Sequence, residues 1–217
     1  MNKIIDKYQV FGRKKGRKKF QSINYNFNKS YLLNLDTDFY NKKVILDIGS
    51  GEGRNALYLA QKFPEKLIIA CEIYKDGNIN LCRQLIEKKI NNVKIFNQNI
   101  LILLENDNFK ILLDEIWILF PDPWPKKKHN KRRLINDAFF TKLNFKFVFG
   151  GKIIIVTDSI SYFISILSSV YNSKNFKWIN DKPQNWQYSN TDLIKTKYYQ
   201  KALNCNNKSM IIRLSKI

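Results

Sequence analysis

A doubly wound α/β domain built on a mostly parallel, seven-stranded sheet and preceded by a basic N-terminal arm is the fold this sequence predicts. Three observations predict it. From Lys43 onward, short apolar runs alternate with helix-length amphipathic segments, the pattern of successive βαβ units. The first apolar run ends in a glycine-rich turn that leads directly into a helical pattern. The length of 217 residues with 44% hydrophobic content suffices for one domain with a full core, assigned to residues 32–217 behind an arm at 1–31.

The elements follow in order. Residues 44–48 (V-I-L-D-I) read as a buried strand, closed by Gly49-Ser50-Gly51-Glu52-Gly53. A helix is expected over 54–63, stopped by Pro64. Strand 67–72, helix 76–89 and strand 93–96 come next, then a fourth strand at 115–120 that runs into Pro121-Asp122-Pro123-Trp124-Pro125. Residues 136–147 suit a helix, Gly150-Gly151 a turn, 152–157 a strand and 159–171 a helix. Two weaker runs, near Trp178 and over 208–214, are expected to close the sheet antiparallel.

Composition narrows the function. No apolar run approaches the roughly 18 residues needed to cross a bilayer, and the first twenty residues lack the apolar core of a signal peptide. Cys71, Cys82 and Cys205 are odd in number and have no metal-like spacing, so they read as reduced thiols in a cytoplasmic protein. The net charge of +20 points to a polyanionic partner, because basic side chains that neutralise phosphates release counterions. A bias toward Lys across the whole chain would raise the charge evenly. Instead, residues 13–19 and 126–133 carry six cations each, which favours nucleic acid over an acidic membrane surface.

The glycine turn marks a nucleotide site. In open α/β sheets ligands bind beyond the carboxyl ends of the strands. Gly49, Gly51 and Gly53 allow close approach to backbone, and the following helix N-terminus favours an anion. Glu72 ends the next strand about 20 residues on, where an acid accepts from a ribose hydroxyl. The spacing is G-x-G-x-G, not the G-x-G-x-x-G of dinucleotide-binding folds. Preceded by Asp47, it resembles the first motif of class I S-adenosylmethionine methyltransferases. Asn99, after the third strand, stands where this fold commonly carries an Asp that reads the adenine amino group; an amide oxygen accepts the same bond.

Residues 120–133 (F-P-D-P-W-P-K-K-K-H-N-K-R-R) carry the most specific likeness. They resemble the signature of bacterial tRNA (guanine-N7-)-methyltransferases. The likeness continues through Gly150-Gly151 and Thr157-Asp158 to Thr196-Lys197-Tyr198, covering nearly the whole chain. It implies a Rossmann-like methyltransferase sheet, S-adenosylmethionine as donor, and N7 of a variable-loop guanosine in tRNA as acceptor. It implies that Asp122 is catalytic and lies against the cofactor with Asp47, Gly49, Gly51, Gly53, Glu72 and Asn99. Lys126, Asp158, Thr196, Lys197, Tyr198 and Tyr199 are then expected at the substrate nucleotide. Arg13, Arg17, Lys127, Lys128, Lys131, Arg132 and Arg133 are expected on the RNA backbone, supplying affinity and register. The family usually has Glu where this chain has Tyr199.

The chemistry suits these residues. Guanine N7 already carries an in-plane lone pair, so no base has to remove a proton first. Catalysis then rests on alignment and electrostatics. Asp122 is read either as stabilising the cationic ring or as accepting from the guanine amino and imino hydrogens. Trp124 is read either as stacking on a base or as packing the loop. His129, the chain's one histidine, is too few for a multi-histidine metal site, so no metal is expected. Two other classes are weighed. A non-catalytic tRNA-binding protein, with Asn99 and Tyr199 marking a decayed site, predicts RNA binding without cofactor. A nicotinamide oxidoreductase needs the longer glycine spacing and leaves the basic clusters idle. No membrane and no obligatory protein partner are expected.

Overall fold

Buried β-branched and leucine side chains set the strands. Val44–Ile48 (β1) and Leu67–Cys71 (β2) are buried at every residue, as parallel strands covered on both faces require. The structure, a computed structural model, describes residues 28–35 and 42–217. It divides into two compact units, one running through Ile111 and one from Leu112. The sheet has seven strands, three in the first unit and four in the second.

In the first unit, β1 is followed by Arg54–Lys62 (α1), β2, Lys75–Glu87 (α2), Val93–Phe96 (β3) and Ile100–Leu104 (α3). The strand order is β3-β2-β1, all parallel, with Val44 opposite Leu67 and Ile68 opposite Val93. Pro64 stops α1 as the sequence predicts. The amide of Asn92 donates to the carbonyls of Ala60, Phe63 and Lys66, satisfying acceptors that the helix end leaves open. Short 3-10 turn Lys29–Tyr31 leads into a parallel bridge between Leu32 and Ile95, and Tyr31 is buried. The last residues of the expected arm therefore belong to the edge of β3. Arg13 and Arg17 lie outside the described residues.

In the second unit, Leu113–Leu119 (β4), Asp137–Asn144 (α4), Phe147–Thr157 (β5), Ile160–Ser173 (α5), Phe176–Trp178 (β6), Lys197–Asn204 (α6) and Met210–Lys216 (β7) follow in sequence. The order is β4-β5-β7-β6, with β4 and β5 parallel and β7 antiparallel to both neighbours. Asn136, Ser159 and Thr196 cap α4, α5 and α6, each side chain accepting a backbone N–H of the first turn.

Helix α4 and strand β5 differ in their bounds from the sequence expectation, and helices α3 and α6 are not among the expected elements. The helix at 136–147 ends at Asn144, and Phe147 opens β5 because its ring is buried against Phe176. Gly150-Gly151 is then a bulge inside β5: the register jumps from Leu113↔Phe147 to Glu115↔Lys152. Helix α6 had no strong periodicity to announce it. The basic run forms a 3-10 helix, Lys127–Arg132, with no buried residue.

Candidate functional site

The first group of candidate residues surrounds the turn after β1. Gly53 starts α1 at φ 86°, a left-handed conformation that strains any other residue. A side chain there would also strike Leu81 of α2, at 2.5 Å from its Cδ1. The amides of Gly49 and Ser50 donate to the Cys71 carbonyl at 2.8 and 3.2 Å, which seats the turn at the carboxyl end of β2. Gly49 has open space where a Cβ would stand, and Gly51 has only a carbonyl at 4.0 Å, so this face of the turn admits a ligand.

Glu72 is tied into the same turn. One carboxylate oxygen accepts from the Gly51 amide at 2.9 Å; the other accepts from Ile73 and Tyr74 at 2.7 and 2.9 Å. Asp47 is buried, and one oxygen accepts from the Asn55 amide at 2.9 Å. Burial pushes the Asp47 carboxyl up to about 7; the Asn55 hydrogen bond opposes this, and the Glu72 charge adds to it. Asn99 caps the short α3 by accepting from Leu101 at 2.9 Å.

The turn is rich in buried polar atoms without a protein partner: Asp47 Oδ2, Ser50 Oγ, Asn55 Oδ1 and Asn78 Oδ1. Buried polar atoms are normally hydrogen-bonded, so this cluster fits a polar ligand. Asp47 Oδ2 offers an acceptor to an ammonium such as that of S-adenosylmethionine, and Glu72 retains one acceptor site, on Oε2, for a ribose hydroxyl. The residues present fit that cofactor. Two contributors were missed by sequence reasoning. Asn55 orients Asp47. Gly77, inside α2, lets the helix approach the turn so closely that a Cβ would lie 2.2 Å from the Gly51 carbonyl oxygen. A glycine two residues into a helix was the available signal.

The second group lies in the other unit. Asp122 is exposed at the exit of β4, between Pro121 and Pro123, whose rings fix φ. Phe120 and Trp124, at φ 55° and 42°, flank this stretch. The Trp124 ring meets His129 edge-on at 5.9 Å, and the Arg132 guanidinium stands 5.1 Å over it. Partial burial and the neighbouring cations Arg132 and Lys126 hold the His129 pKa below the ordinary histidine value, favouring the neutral ring. Lys126, Lys127, Lys128 and Lys131 are exposed and Arg132 is half-buried.

Arg133 departs from the expectation. It is 4% exposed, and its guanidinium donates to the Pro123 carbonyl at 2.9 Å, the Ser161 carbonyl at 3.2 Å and Ser161 Oγ at 2.9 Å. A side chain so enclosed does not face an RNA phosphate. Spacing could not separate it from its exposed neighbours.

The segment 196–199 also divides. Lys197 and Tyr198 are exposed, whereas Thr196 caps α6 and Tyr199 is buried edge-on against Tyr188 at 5.2 Å. Lys195 lies 4.2 Å over the Tyr188 ring and 5.4 Å from that of Tyr199, and donates to the carbonyls of Tyr188 and Thr191. Asp158 is half-buried and accepts from the Asn207 amide at 3.3 Å. All three thiols are free: Cys71 and Cys82 are buried, with pKa values raised first by burial, and Cys205 is exposed. Among the described residues no group of three or more His, Cys, Asp or Glu is arranged to hold a metal, and no helix is long and apolar enough to cross a membrane.

Comparisons with known proteins agree on a fold and a family. Residues 41–212 match the family model described as "Putative methyltransferase". A tRNA (guanine-N(7)-)-methyltransferase of Buchnera aphidicola subsp. Schizaphis graminum is 35% identical over 176 residues, 80% of this chain and 73% of that protein. A bifunctional methyltransferase of Rickettsia conorii is 34% identical over 191 residues; the chain spans about a third of such Rickettsia proteins, 35% in this case. Among solved structures, an antibiotic related methyltransferase superposes with a TM-score of 0.56 at 20% identity, over 80% of this chain and 87% of that one. The likeness shows the expected Rossmann-like, mostly parallel methyltransferase fold.

Proposed function

From the tRNA (guanine-N7-)-methyltransferase family, to which this chain belongs, we propose that it moves a methyl group from S-adenosylmethionine to N7 of a guanosine in tRNA. The observation that carries the reading is Asp122, exposed in a proline-stiffened turn directly ahead of a basic 3-10 helix. By the family resemblance, the guanosine is that of the variable loop. A tRNA substrate together with three free thiols favours a cytoplasmic setting.

The chain's residues divide the work. Asp47, Glu72 and the open faces of Gly49 and Gly51 hold the cofactor, with Asn99 as a further acceptor for its adenine. When bound, S-adenosylmethionine supplies an electrophilic methyl on a sulfonium centre. Guanine N7 needs no deprotonation, which suits a turn whose acid is not paired with a histidine base. Asp122 offers negative charge to a ring that becomes cationic as the methyl arrives, and an acceptor for the guanine N–H groups; a pre-placed charge needs no reorganisation during the reaction. Lys126, Asp158, Lys197 and Tyr198 form the substrate-side set, with Thr196 and Tyr199 holding α6 behind it. Lys127, Lys128, Lys131 and Arg132 neutralise phosphates.

The test is methyl transfer from radiolabelled cofactor to unmodified tRNA, followed by nucleoside analysis, with Asp122→Ala in parallel. The expected result is 7-methylguanosine from the wild type and none from the variant, with tRNA affinity within a few-fold because phosphate contacts dominate binding. Label in another nucleoside refutes N7 of guanosine. Bound tRNA with no transfer and no bound cofactor identifies a binding protein instead, and directs attention to Asn99 and Tyr199. Near wild-type turnover by Asp122→Ala removes that residue from the mechanism.

A further inference from the structure

We propose that Arg133 is a positioning residue for methyl transfer, a buried guanidinium that clamps the Asp122–Trp124 turn to the first turn of α5. The inference rests on the reaction proposed above. Three observations carry it.

The first is the placement of the charge. Arg133 is enclosed by three neutral oxygens, Pro123 O, Ser161 O and Ser161 Oγ, with the Tyr162 ring 4.9 Å beneath the guanidinium. Burying a cation is costly unless its donors are satisfied, and here the bonds are built from two separate segments. Nε reaches the residue after Asp122, and the two Nη atoms reach α5. Lysine is a point charge on a flexible stem and cannot hold both at once.

The second is the backbone that the clamp restrains. Phe120 and Trp124 both adopt left-handed conformations, which non-glycine residues keep only where the surroundings hold them. At the entry, the Phe120 amide donates to Val156 O at 2.7 Å. At the exit, Arg133 Nε holds the Pro123 carbonyl. The three prolines stiffen the turn but supply no donor N–H, so the anchoring falls to the Phe120 amide at the entry and to the Arg133 guanidinium at the exit.

The third is the support behind the clamp. Tyr162 is buried and its hydroxyl accepts from the Ile135 amide at 3.0 Å. The Arg133 amide donates to Asn130 O, and its carbonyl accepts from the Asn136 side chain at 3.1 Å. The exposed cations of the 3-10 helix and the buried one that follows it thus share a sequence cluster but not a task.

The experiment measures kcat and KM for tRNA across a salt series, with melting temperature, for wild type, Arg133→Lys, Ser161→Ala and Lys131→Gln. For Arg133→Lys, kcat per folded molecule is expected to fall on the order of 10- to 100-fold, the effect of sub-ångström to ångström misplacement. KM and its salt slope stay near wild type. Lys131→Gln shows the contrasting pattern, a higher KM and a shallower slope. Ser161→Ala removes one of three bonds, folds without the risk of a buried misfit, and is expected to lower kcat a few-fold. Unchanged kcat in Ser161→Ala and Arg133→Lys overturns the positioning role, as does a lower melting temperature with kcat intact. A raised KM with a flattened salt slope in Arg133→Lys overturns it in favour of a phosphate contact. A wild type that transfers no methyl to tRNA overturns the proposed reaction and this role together, whereas an active wild type with an unaffected Arg133→Lys overturns the role alone.

Discussion

Glu72 accepts the Gly51 amide at 2.9 Å, so the acid expected at the cofactor ribose also shapes the glycine turn itself. Its second oxygen takes the amides of Ile73 and Tyr74. Glu72→Ala leaves three N–H groups without this acceptor, and an orphaned buried donor costs about 1–3 kcal/mol where water cannot replace the partner. Cofactor-product affinity, measured by calorimetric titration with S-adenosylhomocysteine, is expected to fall at least about tenfold, with tRNA affinity unchanged. Wild-type affinity in the variant would show that the turn keeps its shape without Glu72.

Gly77 offers a test in which two effects have opposite signs. In an exposed helix, Gly→Ala stabilises by about 1 kcal/mol. Here the new Cβ would stand 2.2 Å from the Gly51 carbonyl oxygen, and forced overpacking costs about 1–3 kcal/mol. Gly77→Ala is therefore expected to lower both the urea midpoint and cofactor affinity. A stabilised variant would mean that α2 does not press on the turn.

Asp47 predicts a pH dependence with a definite sign. Its folded pKa, about 7, lies above the ordinary carboxylate value, because burial disfavours the charged form. Between about pH 4 and 7 the folded state binds more protons than the unfolded one, so this residue's contribution to stability is full below that window and is lost as pH rises through it. Asp47→Asn, which stays neutral, is expected to melt higher than the wild type at pH 8 and close to it at pH 4. Melting curves across that range decide the matter; parallel profiles for the two proteins would place Asp47 in a solvated setting.

The exposed cations should act together through salt. Neutralising Lys127, Lys128, Lys131 and Arg132 is expected to weaken tRNA binding and to reduce the slope of log K against log salt, by roughly 0.7–0.9 for each phosphate contact removed. Filter binding between 50 and 200 mM salt measures it. If the slope of the quadruple variant matched the wild type, the RNA surface would lie elsewhere.

How much of this was legible beforehand depends on which physical signal each residue carries. Strands β1 to β4 announce themselves by short runs rich in apolar residues, and Pro64 by its missing N–H, so their limits agree within a residue or two. The end of α4 was misjudged because Phe147 continues an apolar pattern that helix and strand share; only its burial against Phe176 decides. In the site, glycine spacing exposed the turn, and Glu72 followed from its position after the next strand. Asn55 and Gly77 act through contacts across 8 and 26 positions of chain, which no local pattern encodes. Arg133 was hidden by its neighbours: six cations in eight residues look alike until one of them turns inward.

The distribution of thiols makes the chain its own reporter. The thiolate is the form that attacks a maleimide, and burial both shields Cys71 and Cys82 and raises their pKa values. Cys205 alone is exposed, at the C-cap of α6, about 12 Å of helix from Lys197 at 1.5 Å per residue. A fluorophore added to the unaltered protein would therefore settle at one position, close to the segment expected to meet the nucleotide. Its emission can follow tRNA arrival in real time, without a single engineered substitution.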